Sequence, residues 1–155
     1  MSSKHCSNSE LQVEIEKIQI KKLEKELNYS DLSNDAFVYF KHDDGSKIKP
    51  DIYSEKHHII GEVYTHLGKL KPSQMHKVTS DILKLILFNK DSGSNFEMYY
   101  VVCDETVKDC MLKNSVIRNA VRLYEIHVAC FPLDESMKEK LKETMKKQDL
   151  TKSHS

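Results

Sequence analysis

Two carboxylates one hairpin apart are the residues of this chain best suited to chemistry. Asp51 follows Pro50 in one apparent strand, and Glu62 lies eleven residues on, in the middle of the next, within Glu62-Val63-Tyr64. A short hairpin between them brings both to neighbouring positions on a sheet. If they face the same way, the two carboxylates and the Val63 carbonyl can bind Mg²⁺ or Mn²⁺, with waters completing the shell. Such an ion activates a water lying against a phosphodiester and stabilises the leaving oxygen. Lys69, Lys71, His76 and Lys77 follow, with Lys84 further along, and form the local basic concentration near the pair. It can hold a nucleic-acid backbone, where phosphate contacts supply affinity without reading sequence. Taken as a charge run alone, it fits a solvated helix face better. The plainer alternative for the pair makes Asp51 a turn cap and Glu62 a solvent-facing strand charge.

The elements that must position these residues follow from periodicity. Residues 1–9 are polar and read as a disordered N-terminus, with Ser9 able to cap a helix over about Glu10–Asn28. That helix carries Leu11, Ile15, Ile18 and Leu23 at helical spacing over a lysine- and glutamate-rich face. Three strands are expected next, at Ala36–Phe40, Lys47–Tyr53 and His57–Leu67, joined as a meander, with Asp44-Gly45 as a hairpin turn. Pro50 marks an edge or a bulge, because proline gives no N–H to the ladder, and it leaves the phase of Asp51 open. Alternation places Glu62, Tyr64 and His66 on one face of the third strand. A helix from Pro72 to about Lys90, an interior strand at Phe96–Cys103, a helix over Glu105–Leu123, a strand at Ile126–Leu133 and a charged helix to Gln148 complete the order, and 149–155 should fray. The expected fold is α/β: a three-layer α-β-α sandwich with a mixed sheet, in the order α-β-β-β-α-β-α-β-α, forming one domain over 10–148.

Pro50-Asp51, the spacing to Glu62 and the order of elements around them resemble the PD-(D/E)XK nuclease superfamily, whose fold is restriction endonuclease-like. The resemblance covers about residues 10–103, with 104–150 as an extension. It implies a metal-dependent nuclease that hydrolyses DNA phosphodiester bonds, with Asp51 and Glu62 as metal ligands and a lysine that orients or deprotonates the water. It also leaves open a catalytically inert module of the same fold that binds nucleic acid or a protein partner. The chain departs from the motif at the lysine, whose place Tyr64 takes. A phenol hydrogen-bonds a phosphate or a water but, at a pKa near ~10, is a poor base at neutral pH. The migrated lysine is therefore expected at Lys77, on a helix that positions it well, with Lys69 and then Lys71 in the preceding loop as alternatives. His66 is an alternative base, and Gln74 shares the Lys77 helix face. A homodimer follows from the implied function, since cutting two strands with one site per chain takes two copies.

Other chemistries are weaker. His57 and His58 are adjacent, so in a strand they point to opposite faces, and with His66 and His76 they lack the cysteine spacing of a zinc site. Cys103 and Cys130 lie in apolar runs that suit core thiols, and none of Cys6, Cys103, Cys110 and Cys130 forms a CxxC pair, which favours a reducing cytoplasm over disulfides. Cys103 or Cys110 as a nucleophile needs a pKa-lowering helix start, and Asp104 beside Cys103 acts in the opposite sense. There is no P-loop. The 24 basic and 24 acidic residues balance, so overall charge does not point to nucleic acid and local patches must decide. No apolar run approaches the ~20 residues of a membrane span.

Overall fold

All six residues of Ile59–Tyr64 are buried. A strand with no exposed face must lie inside a sheet covered on both sides. The computed structural model, which describes residues 8–153, contains α1 (Asn8–Leu27), β1 (Val38–Tyr39), β2 (Lys47–Ile48), β3 (Ile52–Ser54), β4 (Ile59–Tyr64), α2 (Pro72–Asp91), β5 (Glu97–Val102), α3 (Glu105–Lys113), α4 (Ser115–Leu123), β6 (His127–Cys130) and α5 (Glu135–Ser153). The main sheet has the order β3-β4-β5-β6. β3 runs antiparallel to β4, and β4, β5 and β6 are parallel to one another.

Helices cover both faces of this mixed sheet. Ile60 and Tyr64 of β4 pack with Val78, Ile82 and Leu85 of α2 and with Val107 and Ile117 of α3 and α4. On the other face Ile59 and Val63 meet Ile20 and Leu23 of α1. Leu11 and Ile15 of α1 close against Leu133, Met137 and Leu141, which brings in α5. Gly61 lets β4 lie this deep: a Cβ there would stand 2.7 Å from the Tyr99 carbonyl oxygen of β5.

The expected α/β sandwich is present, with three differences. The strand anticipated over 47–53 is broken at Lys49-Pro50, so β2 pairs with β1 in a separate two-stranded sheet while β3 joins β4. The meander is therefore divided between two sheets, because Pro50 cannot continue the ladder. The helix anticipated over 105–123 is two helices. Asn114 accepts hydrogen bonds from the Val116 and Ile117 N–H groups at 3.0 and 3.1 Å, a cap that starts α4. At the ends, residues 1–7 and 154–155 lie outside the described part, while Asn8, Ser9 and 149–153 are helical, so Ser9 lies within α1. Among the described residues no helix is long and apolar enough to cross a membrane.

Candidate functional site

The β3–β4 register pairs Ile52 with Gly61; continued by one step it sets Asp51 opposite Glu62, and by a second Pro50 opposite Val63. Asp51 Oδ2 accepts the Val63 N–H at 2.9 Å, so the side chain replaces a ladder acceptor. That bond fixes the phase which Pro50 left open. The Asp51 carboxylate lies along the open edge of β4, beside the Glu62 carboxyl group whose pKa it raises. The N–H and C=O of one residue point to the same side of an extended strand, so the Val63 carbonyl shares this edge. The structure thus brings Asp51, Glu62 and Val63 together.

Glu62 is not a solvent-facing strand charge: it is 2% exposed. Its Oε1 touches the ammonium of Lys84, which reaches in from the fourth turn of α2. Burial raises the Glu62 pKa, and a hydrogen bond and negative charge from Asp51 raise it further, against the opposing pull of Lys84. Burial acts to lower the Lys84 pKa, yet Glu62, Asp81 and Asp51 together hold it above its usual value. Burial and Asp51 favour a protonated Glu62 and Lys84 a charged one, so one proton is contested across the cluster.

The lysine at Glu62 is therefore Lys84. Lys77, which the sequence favoured, lies on the same stripe of α2 and pairs with Asp81 at 3.2 Å. Asp81 is itself buried and accepts the Tyr100 hydroxyl at 3.1 Å. Lys77 still acts on the site through its charge, which reaches Glu16 and His66. Glu16 of α1 is a group that sequence reasoning missed. With Lys49 and Asp51 it lines a cavity of about 320 Å³. Burial, then the charge of Asp51, pushes its carboxyl up to about 7, with Lys77 and Lys49 opposing. Gln12, one helical turn earlier, comes within 3.5 Å of His66 Nε2.

The remaining expected residues are spread around this cluster. Tyr64 shares the Glu62 face but is 1% exposed, and its hydroxyl is buried without a hydrogen-bond partner. Burial, then Asp81 and Cys110, raise its pKa, so the phenol stays neutral and closed off from solvent. His66 is half-buried, and burial followed by the Lys77 charge lowers its pKa. Lys69 and Lys71 are exposed. Gln74 accepts the Lys71 N–H at 2.9 Å and so holds the start of α2. Cys103 is fully buried, with its thiol pushed up to about 12 chiefly by burial, which suits the core reading.

Among the described residues, no three His, Cys, Asp or Glu side chains gather closely enough to hold an ion. A cation at Asp51 and Glu62 would therefore take two carboxylates, one backbone carbonyl and several waters. Mg²⁺, which dehydrates reluctantly and demands oxygen ligands, is bound in this manner. An all-oxygen set of two carboxylates and a backbone carbonyl is of the kind that Mg²⁺ or Mn²⁺ takes, with the Lys84 ammonium on Glu62 Oε1 as its competitor. No family model matches this chain, and no curated protein or solved structure matches it either.

Proposed function

We propose that the protein is a metal-dependent, nuclease-like hydrolase of DNA phosphodiester bonds, built on a restriction endonuclease-like core. The observation that carries this is the edge-on meeting of Asp51 and Glu62, with the Lys84 ammonium delivered to them from α2. Asp51, Glu62 and the Val63 carbonyl would hold Mg²⁺ or Mn²⁺, which when bound lowers the pKa of water and neutralises charge on phosphate oxygens. Lys84 fills the part that the motif assigns to a lysine, while Tyr64, in the motif position, serves as a buried neighbour of the cluster. Glu16, with a pKa of about 7, is matched to taking a proton near neutral pH. Lys17 and Lys49, which line the cavity, and Lys77, whose charge reaches Glu16, supply positive charge for the DNA backbone, with the exposed Lys69 and Lys71 in the loop before α2.

A second reading is favoured by one specific contact. Lys84 already sits on a ligand oxygen, and an ammonium there opposes a divalent cation. A domain that kept this pair for stability would be an inert module of the same fold.

The test uses plasmid, single-stranded and branched DNA with Mg²⁺ and with Mn²⁺, alongside thermal unfolding of the protein in the same metals. The nuclease reading expects cleavage, a rise in Tm with metal, and loss of both in Asp51→Ala, with the rate down about a hundredfold or more. Cleavage that survives in Asp51→Ala overturns the site. No cleavage and no metal-dependent Tm shift establishes the inert reading.

A further inference from the structure

β1 and β2 form a hairpin that stands apart from the main sheet. Val38 and Ile48, paired in register, point inward and pack on the core beside Phe88. The outward positions make no demand for apolar side chains, yet two of them are aromatic. Phe37 is 51% exposed and Tyr39 is 60% exposed. The facing outward positions on β2 and just beyond it are Lys47 and Lys49, whose ammonium groups lie 4.6 and 5.6 Å from the centre of the Phe37 ring. Single exposed hydrophobic residues are ordinary. Two rings at alternate positions of one strand, interleaved with two cations from its partner, form a pattern that folding does not explain.

Phe37 and Tyr39 also line a cavity of about 400 Å³, bordered by Lys41, Tyr53, His58 and Phe96. Tyr53 stacks on Phe96 at 5.8 Å, which gives this hollow an aromatic wall. At the other side of the hairpin, Lys49 lines the cavity that holds Glu16 and Asp51. The aromatic surface is thus joined to the carboxylate site through one lysine, two residues before Asp51.

From this arrangement we propose that the β1–β2 hairpin is a binding platform for single-stranded DNA, on which unpaired bases stack against Phe37 and Tyr39 while Lys47 and Lys49 hold their phosphates. The proposal deepens the nuclease reading and rests on it for DNA as the substrate. It makes that substrate a single strand or the unpaired arm of a branched molecule. Duplex bases are stacked on one another and offer no free face to a ring, whereas unpaired bases do. The lysines now over Phe37 do not block such a base. An exposed cation–π contact is weaker than the stacking of a base on an aromatic ring. The displaced ammonium groups then meet the phosphates on either side.

Fluorescence anisotropy on the full chain in EDTA, with labelled dT20, a 20-base-pair duplex and U20, tests the platform. The expected result is tightest binding of dT20, weakened about 5- to 150-fold by Phe37→Ala and by Tyr39→Ala, as stacking energies imply. Phe37→Trp and Tyr39→Phe keep the affinity. Lys47→Ala with Lys49→Ala lowers the slope of log affinity against log salt by about 1.4, at ~0.7 per phosphate contact. Because these side chains are exposed, the variants are expected to keep the wild-type Tm, and the affinities are compared at equal folded fraction. Duplex or U20 bound as tightly as dT20, or alanine variants that bind dT20 like the wild type, overturns the proposal. The two readings fail separately. Binding of dT20 through Phe37 without cleavage of any DNA sinks the nuclease reading alone; Asp51-dependent cleavage with no effect of the alanine variants on binding sinks the platform alone.

Discussion

The two ends of the β3–β4 ladder are built from similar residue types and treat them in opposite ways. At the turn, Ser54 donates to Asp31 at 2.7 Å and accepts the His57 N–H at 3.1 Å. The His57 ring pairs with the same Asp31 at 3.3 Å and stacks on Tyr29 at 3.8 Å between centroids. Each polar group has a partner of matching kind, and Asp31 keeps access to water. At the open end, Asp51 presses a second carboxylate towards Glu62, which is buried, and a single lysine answers them. A turn that only has to close uses one carboxylate as a hub for donors. At the open end the Asp51 charge raises the proton affinity of the buried Glu62 while Lys84 lowers it. On the proposed reading, the open end is kept for a ligand and the turn end for folding.

The sharpest way to break the comparison is to remove the lysine that answers the pair. Lys84→Met leaves Glu62 buried beside Asp51 without its counter-ion, and breaking a buried ion pair costs about 3–5 kcal/mol. Protonation of Glu62 offers a partial escape, so the lower end, about 3 kcal/mol or roughly 6–12 °C in Tm, is expected. Lys77→Met, removing a half-exposed partner of Asp81, should cost under about 1 kcal/mol. Added Mg²⁺ then decides what the pair is for. If the edge is a metal site, the Mg²⁺-induced rise in Tm is larger in Lys84→Met than in the wild type, because the competing ammonium has gone. A Lys84→Met protein that Mg²⁺ leaves unmoved makes the pair structural, and the two ends of the ladder alike.

Ser54→Ala probes the other end. It deletes one hydrogen bond and strips the His57 N–H of its acceptor, which should cost about 1–2 kcal/mol, or about 2–8 °C. DNA cleavage per folded molecule should be unchanged. A loss of cleavage as large as that of Asp51→Ala would show that the turn end is part of the site.

Much of this contrast was legible in the sequence, and what was not has a physical reason. The hairpin between Asp51 and Glu62 and the alternation along β4 are local properties, so their approach could be read from spacing. The polar stripe Lys77, Asp81, Lys84 was equally visible at i, i+4, i+7. Which lysine of that stripe meets Glu62 was not, because it depends on how far α2 slides along β4, set by Val78, Ile82 and Leu85 seating on Ile60 and Tyr64. Pro50 announced a break, but the exchange of sheets it causes depends on Val38 and Ile48 finding the same core. Glu16 was hidden among the glutamates of α1, since helical spacing alone gives no rotation relative to a sheet edge supplied by residues far along the chain. Local order was readable; registration between elements was not.

Glu16 supplies the smallest effect and the one whose sign is most informative. Its carboxyl titrates at about 7 in the folded protein against 4.5 in the unfolded chain. Between those values the folded state keeps a proton that the unfolded state releases, so stability falls as pH rises from about 4.5 to about 7 and the full penalty persists above that. Glu16→Gln removes the penalty. The variant should match the wild type near pH 4 and exceed it at pH 8, by about 1 kcal/mol or ~2–4 °C once the half-exposed position is discounted for solvent screening. At the same pH its cleavage rate should fall, and the rise in rate through pH 7 should flatten, because glutamine cannot take the proton. A variant that gains stability but keeps the wild-type pH–rate profile would confine Glu16 to electrostatics. A Tm difference that is flat from pH 4 to pH 8 would remove Glu16 from the carboxylate cluster altogether, leaving Asp51 and Glu62 to face Lys84 alone.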